Sequence, residues 1–247
     1  MLSAHPNLPL TAAFLWLRRG WQDLRQTGMR GCFYGAIFTV MGYTIEYIYG
    51  NYWQATMGMT AGFFLMGPFI CCGIYELSRQ HDRGEPSSLW RSFLSFTRNW
   101  KSIAFFAVML TFLMIIWARV SIVIFALLAQ HSYPTVQAMF NQIASIENIE
   151  FLCVWAGVGC VFASFSFAIS VVSMPILLDR NSDTLTAVFT SAAALWANTL
   201  TCLVWGLLIV AIVGSSLVIF KPLLVLTAPW MGHATWHAYK SMLVFAE

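Results

Sequence analysis

The chain has 247 residues, of which 59% are hydrophobic and only 9% are charged, with a net charge of +3. Ordinary soluble domains carry roughly 25% charged residues, and the 23 Lys, Arg, Asp and Glu side chains present here could hardly cover a soluble globule of this size. A bilayer makes a polar surface unnecessary, so the composition excludes an ordinary soluble domain and indicates a membrane protein.

Six stretches of the chain are long and apolar enough to cross a bilayer, which takes about 20 mainly apolar residues. They are residues 30–49, 53–76, 103–128, 150–177, 198–214 and 216–237. The boundary between the fifth and sixth spans is the least sharp, because the apolar run 199–220 continues almost unbroken to Lys221. We place the turn at 214-GSS-216. The sequence therefore predicts an all-α polytopic membrane protein with one transmembrane domain over 1–247.

Basic residues concentrate in the loops on one side of the predicted spans. They are Arg18, Arg19, Arg25, Arg30, Arg79, Arg83, Arg91, Arg98, Lys101, Arg180 and Lys240. The opposite loops, 50–52 and 129–149, contain no Lys or Arg. Short loops rich in Lys and Arg stay in the cytoplasm. Both termini are therefore expected to be cytoplasmic, with Lys221 alone on the far side of the membrane.

A Phe–Trp spacing of seven residues occurs three times, each time just before an odd-numbered span. The pairs are Phe14 and Trp21, Phe93 and Trp100, and Phe189 and Trp196. Seven residues make nearly two helical turns, so both rings share a face, and the surrounding segments mix apolar and polar residues as interfacial helices do. Capping residues precede two of these segments, at 86-PSS-88 and 182-SDT-184. We predict three pseudo-repeats of an interfacial helix plus a transmembrane hairpin, over about 9–80, 86–180 and 182–240.

The three units also match at the cytoplasmic ends of the even-numbered spans. Superposing them puts Glu76, Asp179 and His233 at comparable depth, with Pro175 and Pro229 each standing four residues before the last two. Three parallel repeats around a common axis could bring the three polar groups together. Such symmetry is familiar in transporters, although fold symmetry does not by itself establish transport.

Two histidines, His233 and His237, stand four residues apart and would lie about 40° apart on one helix face. Imidazoles bind Zn, Cu, Fe or Ni, and such sites need further ligands, for which Glu76 and Asp179 are the candidates. The spacing is a weak signal without the Glu of an HExxH motif. In the simpler interpretation, which we favour, both histidines lie at the headgroup level and bond phosphate, backbone or water. No cofactor is therefore predicted, and a metal or haem at these residues is the alternative.

Glu46 and Arg119 are isolated charges inside predicted spans one and three. Each lies about 22–24 Å from the cytoplasmic end of its span at 1.5 Å rise per residue, so the two would sit at matched depth. An isolated charge there is costly, and pairing lowers that cost. We predict a structural Glu46–Arg119 ion pair that holds the helix register. A proton or ion path is the alternative.

The start 20-GWQDL-24 and the ending 229-PWMGHATWHAYK-240 resemble an uncharacterised family of bacterial inner-membrane proteins. Members of that family end in a similar pattern of a proline, GHATWH and a tyrosine followed by a basic residue. The resemblance extends over most of the chain. It implies a six-helix inner-membrane protein from a Gram-negative bacterium, and it implies no activity.

These observations favour a non-enzymatic inner-membrane protein that serves as an accessory or interaction component of a membrane complex. The chain has helix-packing glycines in Gly31-xxx-Gly35 and Gly58-xxx-Gly62, but no Gly-rich nucleotide loop, GxSxG elbow or CxxC pair. The expected partners are the lipid bilayer and a membrane-protein partner or a second copy of the chain, and not nucleic acid. A metal- or haem-binding protein and a small-solute transporter using the repeat axis are the alternatives.

Overall fold

The computed structural model describes residues 3–5, 7–51, 53–128 and 149–244, so most of the predicted loop 129–149 lies outside the described residues. The helices of the described part are α1 (Ala12–Thr27), α2 (Met29–Asn51), α3 (Trp53–Asp82), α4 (Leu89–Phe93), α5 (Trp100–Leu128), α6 (Ile149–Ser170), α7 (Ser173–Arg180), α8 (Thr184–Ala197), α9 (Thr199–Ile219) and α10 (Leu224–Met242). Two 3₁₀ segments, Ser95–Asn99 and Lys221–Leu223, precede α5 and α10. Two short antiparallel strands, β1 (Ser3–Ala4) and β2 (Leu243–Val244), pair the two ends of the described chain.

Four helical stretches of the described residues are long and apolar enough to cross a membrane. They are Met59–Asp82, Leu89–Leu128, Ile149–Arg180 and Thr199–Ile219, and they correspond to predicted spans two to five. The fold is therefore that of an all-α polytopic membrane protein, as its composition predicts. α2 and α10, which hold predicted spans one and six, are not among the four. α10 packs against α1, α2, α3, α7 and α9, so many of its polar side chains face protein.

The turn between α9 and α10 lies later than the predicted 214-GSS-216, and that prediction was wrong. α9 continues to Ile219, and both serine hydroxyls of this stretch are satisfied within the helix, where they donate to the carbonyl of Ile212. The helix ends where Phe220 becomes extended, with φ −155° and ψ 91°. Pro222 then occupies the start of the following 3₁₀ segment, where the missing amide hydrogen costs nothing.

The segments predicted as interfacial helices are helical, but they are not alike. α1 and α8 are continuous helices of 16 and 14 residues, whereas the second segment divides into the short α4 and the 3₁₀ segment Ser95–Asn99. Both predicted caps are confirmed. The Ser88 hydroxyl accepts from the Arg91 amide at 3.4 Å, and the Asp183 carboxylate accepts from the Thr186 amide at 2.9 Å.

Glycines allow two helices, α1 and α2, to approach α10 closely. A Cβ added at Gly20 of α1 would lie 2.5 Å from the backbone nitrogen of Ala234, and one at Gly35 of α2 would overlap the carbonyl of Val225. The predicted role of Gly35 in helix packing is thus confirmed. In contrast, Gly62 has open space around it, so it does not mark a close crossing.

Candidate functional site

Buried polar side chains gather at one end of the helix bundle, where α1 and α7 pack beside the C-terminal halves of α3 and α10. We call this group the polar layer. It consists of Asp23, Thr27, Glu76, Ser78, Arg79, Asp179, His233, His237 and Tyr239. A buried polar group is costly unless it is hydrogen-bonded. The partners of each group therefore show what the layer does.

Asp23 of α1 is the acceptor at the centre of the first network. Its Oδ2 accepts from the Ser78 hydroxyl at 2.7 Å and from Nε2–H of His237 at 3.0 Å. Burial raises the pKa of the Asp23 carboxyl, but the hydrogen bonds and charges supplied by His237, Ser78 and His233 lower it by more. The net effect is a pKa below the ordinary value, so Asp23 is an anion that links α1 to both α3 and α10.

His233 uses both ring nitrogens within this network. Its Nδ1 lies 2.7 Å from the Ser78 hydroxyl oxygen and its Nε2 lies 3.3 Å from the Thr27 hydroxyl oxygen. Ser78 gives its single proton to Asp23, so it accepts from Nδ1–H of His233. The Thr27 hydroxyl has a single proton and lies 3.3 Å both from the Leu24 carbonyl oxygen, to which it donates, and from Nε2 of His233. The hydrogen bond to Ser78 thus places a proton on Nδ1 of His233.

The order of groups in this network decides what chemistry it supports. In a nucleophilic triad the imidazole stands between hydroxyl and carboxylate and takes the hydroxyl proton. Here the Ser78 hydroxyl stands between the His233 imidazole and the Asp23 carboxylate, and it donates its proton to Asp23. Ser78 and His233 are also fully buried. The arrangement ties three helices together and does not activate a nucleophile.

Arg79 of α3 organises the second network. Its Nε lies 3.0 Å from Asp179 Oδ1 of α7, and its Nη1 lies 3.0 Å from Glu76 Oε2. Arg98 adds a fork of two bonds to Glu76, at 3.0 and 3.1 Å. The phenol of Tyr239 donates to Asp179 Oδ2 at 2.8 Å.

The four predicted metal ligands all belong to the polar layer, but they are divided between its two networks. Glu76 and Asp179 meet on Arg79, whereas His233 and His237 bond Ser78 and Asp23. Within the described residues, no group of three or more His, Cys, Asp and Glu side chains is arranged to hold a metal ion. The metal or haem hypothesis stays a prediction.

The predicted Glu46–Arg119 ion pair was wrong, because Glu46 has a different partner in the structure. Glu46 forms its ion pair with Lys221, in the 3₁₀ segment before α10, and the Lys221 ammonium also lies 5.7 Å from the centroid of the Tyr43 ring. Arg119 lies exposed on α5, and in the described part of the chain it takes part in no salt bridge. Matched depth was the only basis for the prediction, and depth does not determine which helices are neighbours: α5 packs on α3 and α6.

Asp23, Thr27, Ser78 and Arg79 were not singled out from the sequence. A signal for Asp23 was nevertheless present, because 20-GWQDL-24 and the GHATWH ending were both noticed as motifs. The structure shows that these motifs form one contact between α1 and α10. Gly20 packs on Ala234, Asp23 bonds His237, and the rings of Trp21 and Trp230 are 5.2 Å apart in an edge-on arrangement.

Long apolar helices that are joined at one end by a hydrogen-bonded polar layer define a multi-pass integral membrane protein. The chain belongs to the family described as "Predicted integral membrane protein (DUF2189)", whose sequence profile matches residues 55–179. The predicted membership of an uncharacterised membrane-protein family is thus confirmed. No curated protein and no solved structure matches the chain. The matched region spans α3 to α7 and includes Glu76, Ser78, Arg79 and Asp179, whereas the two terminal motifs lie outside it.

Proposed function

We propose that this protein is a non-enzymatic accessory or interaction component of a membrane complex, located in the bacterial inner membrane. One observation carries the proposal. The carboxylates, imidazoles, hydroxyls and guanidinium group of the polar layer bind one another, so this layer serves to join helices. The exposed faces of the helices are then the surfaces available for contact with a partner protein.

The face of α8 supports an interaction role. Phe189 is 71% exposed and Trp196 is 85% exposed, although both are large aromatic side chains. Aromatic rings are favoured at membrane interfaces and at protein contacts, because they combine a large apolar area with few rotatable bonds. A partner membrane protein that covers this face would bury both rings.

The same proposal includes six spans in three repeats. α2 has 23 residues and α10 has 19, which correspond to about 34 Å and 28 Å of helix, close to the thickness of a bilayer core. The order of a short helix and two long helical segments recurs as α1–α2–α3, α4–α5–α6 with α7, and α8–α9–α10. Recurrence of this order is what supports the repeats.

Cytoplasmic termini follow from the distribution of charge between the two ends of the bundle. Arg79, Arg83 and Lys240 stand at the end that holds the polar layer, whereas Lys221 stands at the turn between α9 and α10. Lys221→Cys and Glu85→Cys, each introduced into a chain whose six native cysteines are changed to alanine, would test the orientation with a membrane-impermeant maleimide on intact cells. We expect labelling of Lys221→Cys before permeabilisation and of Glu85→Cys only after it. The reverse order would overturn the proposed orientation.

The interaction role is tested by purifying the tagged protein in a mild detergent and in lipid nanodiscs, followed by reciprocal purification through each enriched membrane protein. We expect a partner that survives both directions and is lost from Trp196→Ala. Leu203→Ala is the matched control, because Leu203 is also an exposed apolar residue, on α9. A protein recovered only as a monomer, or a partner equally retained by both variants, would argue against an interaction through α8.

A further inference from the structure

A cavity of about 590 Å³, partly open to the surface, lies between the helices of the bundle. α2, α3, α5, α7, α9 and α10 all contribute to its wall. Most of the lining is apolar, as in Phe38, Met41, Leu110, Ile209 and Met231. Its volume falls within the range of about 300–1,000 Å³ that is usual for ligand sites.

The wall has four hydroxyl groups, those of Thr60, Tyr75, Ser170 and Thr235, and at least two of them bond within their own helices. Ser170 donates to the carbonyl of Ser166 at 2.6 Å, and Thr235 donates to the carbonyl of Met231 at 2.8 Å, each within its own helix. A path for an ion or a hydrophilic solute needs polar groups that replace its hydration shell. The occupant that suits this wall is therefore apolar.

The dimensions of the cavity limit the shape of that occupant. Lining residues extend along α3 from Thr60 to Tyr75 and along α10 from Leu224 to Thr235, which correspond to about 22 Å and 16 Å at 1.5 Å rise per residue. The lining therefore extends over more than half of the roughly 30 Å hydrocarbon core of a bilayer, a length that suits an extended molecule.

We propose that this cavity binds one extended hydrocarbon chain of a membrane amphiphile. Burial of methylene groups against the apolar wall stabilises the bound chain, and the surrounding bilayer supplies such chains at high concentration. The same chemistry is present in a phospholipid acyl chain and in a free fatty acid. This site is independent of the proposed interaction through α8, which lines no part of the cavity.

Gly42 allows the site to be closed without disturbing its neighbours. It lines the cavity on α2, and a Cβ there would meet only the end of the Leu224 side chain, at 4.0 Å. Gly42→Leu should therefore fill the cavity from one side. Gly157→Leu is the matched control, since Gly157 lies in a long apolar helix, has nothing within 4 Å of an added Cβ and is not part of the lining.

The test uses two photoreactive probes that carry a diazirine on the chain, one a phospholipid and the other a fatty acid, with the full-length protein in nanodiscs. After irradiation, peptide mapping locates the adducts. We expect adducts on lining residues such as Met41, Leu110 and Ile209 in the wild type, and a several-fold lower yield at these positions in Gly42→Leu but not in Gly157→Leu. Labelling by only one probe would identify the source of the chain.

Wild-type mapping is decisive even if Gly42→Leu does not fold. Adducts confined to outward-facing residues, such as Phe112 and Leu207, would overturn the proposal, as would equal adduct yields in two folded glycine variants. Native mass spectrometry of the wild type gives a second readout. It should show one retained amphiphile per chain, and a protein that is stripped of all bound chains by brief detergent exchange would contradict a specific site.

Discussion

The Asp23→Asn substitution tests the polar layer most directly. Asp23 lies 3% exposed and holds Ser78 and His237 through a single carboxylate oxygen. The asparagine has nearly the same shape and keeps one acceptor oxygen, but it has lost the negative charge. A hydrogen bond to a charged group contributes about 1.5–3 kcal/mol and a neutral one about 0.5–1.5 kcal/mol. The loss of charge assistance in two bonds should therefore destabilise the protein by about 2–3 kcal/mol.

Thermal unfolding in detergent micelles at neutral pH, followed by tryptophan fluorescence, measures this loss. A change of 1 kcal/mol shifts Tm by about 2–4 °C in a protein of this size, so we expect a fall of about 4–12 °C. Asp183→Asn is the matched control. This substitution removes the same charge at the exposed N-terminus of α8, where asparagine caps the helix as well as aspartate does. If Asp23→Asn lowers Tm no more than Asp183→Asn does, the central role assigned to Asp23 is refuted.

Three further predictions use the same unfolding assay. The folded-state pKa of Asp23 lies below its ordinary value of 3.8. The contribution of Asp23 to the free energy of unfolding is therefore complete above about pH 5 and is lost as the pH falls through the folded-state pKa. A Tm difference between wild type and Asp23→Asn that grows on acidification would contradict this sign. Arg79→Gln removes the cation shared by the buried carboxylates Glu76 and Asp179, which keep only Arg98 and Tyr239 respectively among the partners described above, and should cost about 3 kcal/mol. The exposed Arg83→Gln should be nearly neutral. Equal effects of the two substitutions would show that the ion pairs of Arg79 do not matter. Gly20→Ala forces a Cβ to within 2.5 Å of the α10 backbone and should destabilise the protein by about 1–3 kcal/mol. Gly214→Ala, in open space, should be neutral or stabilising by up to about 1 kcal/mol. A Gly20→Ala variant as stable as the wild type would disprove the close crossing of α1 and α10.

Local features of the sequence determined much of this fold. Composition alone indicated the bilayer as solvent, and hydrophobic length placed the four most apolar spans. The caps at Ser88 and Asp183 were also predictable, because a capping side chain bonds an amide only three residues away. Each of these features depends on residues that are neighbours along the chain.

The contacts of the polar layer were decided by the tertiary structure. Asp23 and His237 are 214 residues apart in sequence, and Glu46 pairs with Lys221 although Arg119 offered the same charge at a similar predicted depth. Periodicity shows which face of a helix is apolar, but it does not show which other helix covers that face. The buried donors and acceptors of the polar layer find their partners only once the helices have packed, which is why single polar residues in the sequence become a connected layer only in the folded chain.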